Sequence, residues 1–367
     1  MRRSSALVIF ALLTALALAA CATPTHKATG GVFSSPIGLA IHWPYAYITN
    51  ANFDVSGNKH GFLSVVDLRI ALTRADLAAV YRIKTDAFLG KIVLSADGKT
   101  AYVTDRRINQ VLLFDLTDPI RPALIDVYNG SSGTQGIPVA DQPYGLTLSP
   151  DESMLYVACE LSGHVSIVDL ASRQMVKNTT LANGVNEVKF DPAGRFVYAS
   201  NLRINSISLL DATNGNFLTS FGVSTAVVAV TGYDYRGMDF TPDGSVLYVA
   251  SNRPNGLLVI DTSQLPLYPD HAVARVIPMD AAPMGVAVRP DGKEVWVTNY
   301  EGASVIAVDA QSGVSLWAGT TGHGPADIRF FEQPDLPGHY YALTVNFASH
   351  DLTLFDATTK EQIWGIP

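Results

Sequence analysis

Cysteine is nearly absent from this 367-residue chain, occurring only at Cys21 and Cys159. Two such thiols exclude a disulfide framework, a CxxCH haem attachment, a paired-cysteine zinc motif and a thioredoxin-like CxxC pair. Charge is sparse too: Asp, Glu, Lys and Arg make up 16% of residues, against 48% hydrophobic ones. That balance suits strands covered on both faces by neighbouring layers. With 25 basic and 33 acidic residues and no clustered basic stripe, nucleic acid is not an expected partner. The 3.6-residue apolar period of a helical repeat is also missing.

What is present is a unit repeated seven times from residue 36 onward. Its third strand ends in aspartate, as in SVVDL, VLLFDL, VSIVDL, ISLLDA, LLVIDT, VIAVDA and LTLFDA, at Asp67, Asp115, Asp169, Asp211, Asp261, Asp309 and Asp356. The intervals of 42 to 54 residues, filled with short alternating strands, are those of propeller blades. In the sixth unit MGVAV leads through RPDGK to EVWVTN, then to ASVIAVDA, QSG and VSLWAG. Four strands per unit give an all-β fold, a seven-bladed β-propeller of four-stranded antiparallel blades. Asp97-Gly98, Asp243-Gly244 and Asp291-Gly292 suit the tight turns between first and second strands, because glycine tolerates positive φ. The seven terminal aspartates are expected as turn anchors that accept backbone amides two or three residues on.

The second strands YITN (47–50), AYVTD (101–105), VYASN (197–201) and VWVTN (295–299) resemble those of the bacterial and archaeal YVTN-repeat β-propellers. Units three and seven depart, with LYVAC (155–159) and with ALTVN (342–346), which lacks an Asp-Gly turn. The resemblance covers nearly the whole chain after the leader. It implies surface proteins, envelope binding proteins or lactonase-like enzymes, so the fold alone does not select an activity.

Arg2 and Arg3 precede an apolar stretch, Ala6 to Ala20, that ends Leu18-Ala19-Ala20-Cys21. The stretch is shorter than the ~20 residues of a membrane-spanning helix and looks like a bacterial lipoprotein signal. Residues 1–20 are then a signal peptide, Cys21 the lipidated first residue, 21–35 a tether and 36–367 the propeller. Acyl chains bury methylenes at about 0.8 kcal/mol each, and more than one chain holds a protein on its membrane. Ala22 after the cysteine favours an outer-membrane location, facing the periplasm or the cell surface. Removing Arg2 and Arg3 takes the formal charge from -8 to -10.

The loops between second and third strands share one face with the connections between blades, and recognition is expected there. The residues expected on it are Arg106, Arg107, Tyr144, Arg203, Tyr235, Arg236, Arg253 and Met284. The arginines form a candidate arc for a carboxylate or phosphate, interleaved with Glu160, Glu187, Asp234 and Glu301. Phe88 joins Tyr144, Tyr235 and Met284 as aromatic and apolar flooring of the channel mouth. His60, His164, His323 and His350 fall on the same face without ligand spacing, so no metal and no cofactor is expected. Cys159 reads as a small packed side chain. Loops at 50–61 and 128–141, and a segment at 69–83 with helical character, interrupt the repeat.

Two functions follow as expectations. The first is a monomeric, non-enzymatic scaffold on the envelope that holds a protein, glycan or cell-wall partner. The second is a lactonase-like hydrolase, with Arg236 or Arg203 orienting an anionic lactone and His323 or Glu187 activating water.

Overall fold

The computed structural model describes residues 33–52, 60–127, 135–204, 206–223 and 234–366. Cys21, the leader and most of the tether lie outside them, as do the centres of the loops at 50–61 and 128–141. Seven separate sheets, each an antiparallel meander of four consecutive strands, are arranged as blades. The first strands are Pro36–His42, Leu89–Leu94, Pro143–Leu148, Val185–Phe190, Tyr235–Phe240, Pro283–Val288 and Pro325–Glu332, and each packs on the next around the centre. Blades three and seven, whose motifs depart from the repeat, are complete four-stranded sheets. In blade two the short outer strand Ala123–Ile125 is supplemented by Ile137–Pro138, which pairs with Gln110 and Val111. The segment after Asp67 forms a four-residue helix, Leu68–Ala71, capped by the Asp67 carboxylate, and then the outer strand Ala79–Lys84.

The repeat motif is a set of ties between neighbouring blades. The tyrosine hydroxyl of the second strand donates to the next blade's turn: Tyr47 to the Pro119 carbonyl (3.0 Å), Tyr156 to Ala212 (3.0 Å) and Tyr248 to Ala310 (2.8 Å). The following hydroxyl donates to the next blade's first strand, Thr49 to Gly90 (2.5 Å), Thr104 to Tyr144 (2.8 Å) and Ser200 to Arg236 (3.0 Å). The final Asn or Asp secures the loop that follows, as where Asn201 Oδ1 accepts the Arg203 and Ile204 amides. Each terminal aspartate accepts an amide of its own turn, from Arg69, Thr117, Ser172, Thr213, Ser263, Ser312 and Thr358. The Ser172 and Thr213 hydroxyls, together with the turn amides, hold the Asp169 and Asp211 carboxyls below their ordinary range.

The ring closes without exchanging a strand. Blade seven takes its outer strand, Glu361–Ile366, from the C-terminal segment, and all four strands of blade one lie after Pro36. The seam is held by packing: Phe33, Leu39 and Ile48 share a core with Phe331, Leu343 and Ile366. Trp43 stacks on Phe331 at 6.0 Å, and His350 Nδ1 accepts the Ser35 amide at 2.7 Å. Phe33 to Ser35, expected in the tether, therefore belong to the propeller body. Ser34 and Ser35 accept the Asn52 and Ala51 amides there.

Candidate functional site

Every first strand carries an irregularity in register near its start, which turns the third residue toward the channel. Counted from the residue paired with the end of the second strand, that position is Gly38, Lys91, Gly145, Glu187, Gly237, Gly285 and Asp327 in blade order. Gly38, Gly145 and Gly237 have no room for a Cβ, and Gly285 has little. A Cβ at Gly38 would lie 2.9 Å from the Gly90 carbonyl, and one at Gly237 would lie 2.6 Å from the Met284 carbonyl. Three blades thus place charge into room the other four leave open. Two residues on, where strand alternation returns to the same face, stand Lys189, Asp239 and Arg329.

These groups form one network. Lys91 Nζ lies 2.8 Å from Asp327 Oδ2 and 3.7 Å from Glu187 Oε1, so a single buried lysine braces blades two, four and seven. Arg329 Nη1 donates to Asp327 Oδ1 at 2.7 Å, and Lys189 pairs with Asp239. Burial opposes the charge of Asp327, but Arg329 and Lys91 outweigh it and hold the carboxyl below its usual range. For Glu187 burial wins: its carboxyl is pushed up, with Asp327 adding to the effect and Lys91 opposing it. Burial likewise drives the Tyr144 hydroxyl up. Above this network, bounded also by Tyr144, Arg236 and Met284, the cavity is about 30 Å³, room for roughly one water.

Toward the loop face, the expected arginine arc is not free. Arg106 donates to Glu160 (2.8 Å) and Gln142 (3.0 Å), and its guanidinium lies over the Tyr144 ring at 5.2 Å. Arg203 lies 3.9 Å from the other Glu160 oxygen. Arg236 Nη2 donates to Asp234 at 2.7 Å, while its Nε approaches Oδ1 to 2.6 Å without hydrogen-bond alignment. Arg107 and Arg253 are exposed on this side.

Several expected site residues stand elsewhere. Tyr235, expected at the mouth, is wholly buried between blades four and five against Ile207 and Phe221, because its side chain points away from the channel. His323, expected as the alternative to Glu187 for activating water, is exposed and is absent from the cavity lining. His60 pairs with Asp86 at 2.8 Å, and His350 is engaged at the seam. Among the described residues no three His, Cys, Asp or Glu side chains are grouped to hold a metal. Cys159 is buried beside Ser166, and burial pushes its thiol up to about 11, leaving it a poor nucleophile. Lys91, Lys189, Asp239 and Arg329 were not expected at the site; alignment of the seven first strands would have exposed them as charges in glycine or apolar columns.

The sequence profile of the seven-bladed β-propeller lactonase family matches residues 143–264, from blade three into blade five. Hydrazine synthase subunit beta of Kuenenia stuttgartiensis is 26% identical over 205 residues, 45% of this chain and 53% of that protein. The chain thus spans about half the length of the curated relative it matches. A solved structure of Kuenenia stuttgartiensis hydrazine synthase superposes with a TM-score of 0.69 at 18% identity, covering 91% of this chain and 98% of that one. A protein of unknown function from Desulfotomaculum acetoxidans superposes with a TM-score of 0.64 at 13% identity, covering 83% and 92%. At those identities the likeness is one of fold, and the chain is a seven-bladed β-propeller of four-stranded antiparallel blades that resembles the lactonase-type propellers through its third to fifth blades.

Proposed function

We propose that this chain is a non-enzymatic binding scaffold, tethered to the cell envelope through a lipidated Cys21, whose loop face engages a protein, glycan or cell-wall partner. The observation that carries this reading is the closed loop-face mouth. Arg106 is held by Glu160, Arg236 is held by Asp234, and only about 30 Å³ lies open above the charged network. Small-molecule sites are usually roughly ten times larger. Exposed Arg107, Arg253, Glu301 and His323 on this face suit a surface that meets a large partner. A relative named as the subunit of a synthase agrees with a propeller that works within an assembly.

The competing reading is a lactonase-like hydrolase, which the profile match over 143–264 and the raised Glu187 carboxyl favour. It requires a base, an orienting arginine and a lactone-sized space in one place. Glu187 lines two cavities: the one it shares with Arg236 is only about 30 Å³, and the wider one toward the opposite face is lined by none of Arg203, Arg236 and His323.

Affinity recovery of the full chain from its native envelope after mild crosslinking discriminates the two, with Cys21→Ser and the double charge reversal Arg107→Glu, Arg253→Glu as controls. A protein or glycan that copurifies with the parent and is lost in both controls is the expected result. Recovery of no partner, together with lactone hydrolysis abolished by Glu187→Gln, would replace the scaffold with the hydrolase.

A further inference from the structure

Below the charged network the channel widens toward the opposite face, where the turns between first and second strands lie. The cavity there is about 420 Å³, within the range that accommodates small organic ligands. Its wall is apolar along Leu94, Met238 and Phe330, and polar at Thr147, Lys189 and Arg329. Both cations reach open space: the Lys189 side chain is 37% exposed and that of Arg329 40%. Arg329 commits Nη1 to Asp327 and to the Ile328 carbonyl (2.7 Å), leaving Nε and Nη2 without an acceptor among the described residues. That edge of a guanidinium has the fork geometry that receives a carboxylate through two parallel hydrogen bonds. Asp239 is occupied by Lys189 and by the Val288 amide, and Asp327 by Lys91 and one nitrogen of Arg329, so neither carboxylate takes up the remaining edge of the Arg329 guanidinium. The Thr147 hydroxyl also takes no partner among the described residues.

We propose that this mouth binds a small organic carboxylate, its anionic end received by Arg329 and Lys189 and its apolar body laid against Leu94, Met238 and Phe330. Ala40, Val93, Thr147 and Ala287 occupy the equivalent position in blades one, two, three and six, and charge enters it in blades four, five and seven as Lys189, Asp239 and Arg329. The network balances its charges, and what it leaves over is a directional donor edge on Arg329 that faces the cavity. The site lies on the face opposite the partner surface proposed above, and its failure would leave that proposal standing.

Benzoate is the probe, titrated into the full chain in detergent and followed by calorimetry, with uncharged benzamide of the same shape as control. Benzoate should bind at least tenfold more tightly than benzamide. Lys189→Gln should weaken it about tenfold through lost charge, and Thr147→Leu by a similar factor through lost space. Neither change touches the Lys91–Asp327 pair, so folding is checked separately by circular dichroism. Equal binding of benzamide, absence of benzoate binding, or benzoate affinity unchanged in both folded variants would overturn the proposal.

Discussion

Glu187 and Asp327 share a lysine, yet burial and neighbours drive their carboxyls in opposite directions. The raised carboxyl of Glu187 contributes stability that is full below its unfolded pKa and is lost as pH rises through the folded value. Asp327, held low, contributes stability that is present above its unfolded pKa and is lost as pH falls through the folded one. Glu187→Gln removes the first dependence alone. Its stability relative to the parent is therefore expected to be greater at neutral pH than at about pH 4, in urea titrations at both. An unchanged difference would contradict the raised carboxyl. Lys91→Met leaves the buried Asp327 carboxylate with Arg329 as its remaining close cation and should cost about 3 kcal/mol, read as a lowered urea midpoint.

Among elements, the first strand is under the tightest constraint because seven of them meet at the centre. Gly237→Ala places a methyl 2.6 Å from the Met284 carbonyl and should destabilise by about 1–3 kcal/mol, seen as a lower thermal midpoint with an unaltered far-ultraviolet spectrum. The second strand instead binds its neighbour by its hydroxyls. Burial pushes the Tyr156 hydroxyl up to about 12, consistent with a neutral donor to Ala212. Tyr156→Phe keeps the ring's edge-on contact with Phe190 at 5.0 Å and loses that bond, for an expected loss of about 1 kcal/mol in a urea titration. The turn element tolerates variation, since Glu152 adopts φ 56° where other blades use glycine at φ about 70°.

For the whole molecule, closure depends on the contact between blades one and seven, which have no strand in common. Phe331 stacks on both Trp43 and Tyr341, at 6.0 and 5.2 Å. Phe331→Ala should therefore destabilise the ring by about 3–5 kcal/mol. Because every blade packs on two others, unfolding should remain a single transition by both circular dichroism and tryptophan fluorescence. A separate early transition would show the seam opening by itself. Lys91 adds a second closure, since it reaches from blade two across blade one to Asp327 of blade seven.

Blade number, strand order and turn positions were legible in the amino-acid order because the signals behind them are local. Aspartates that accept amides two or three residues away, glycines at positive φ and alternating strands need no distant partner. The site was legible only in part. Glu187, Arg236, Tyr144 and Met284 were expected near the axis and do line its cavity. The open arginine arc was not realised, because Glu160 and Asp234, set by neighbouring loops, take up Arg106, Arg203 and Arg236. Tyr235 entered the core because its place at the start of a strand does not state which side of that strand faces the channel. Lys91, more than 200 residues from Asp327 in the chain, meets it only because the ring closes. Local chemistry thus dictated the blades, and the convergence of seven strands on one axis decided which charges meet, which cancel and which remain open to a ligand.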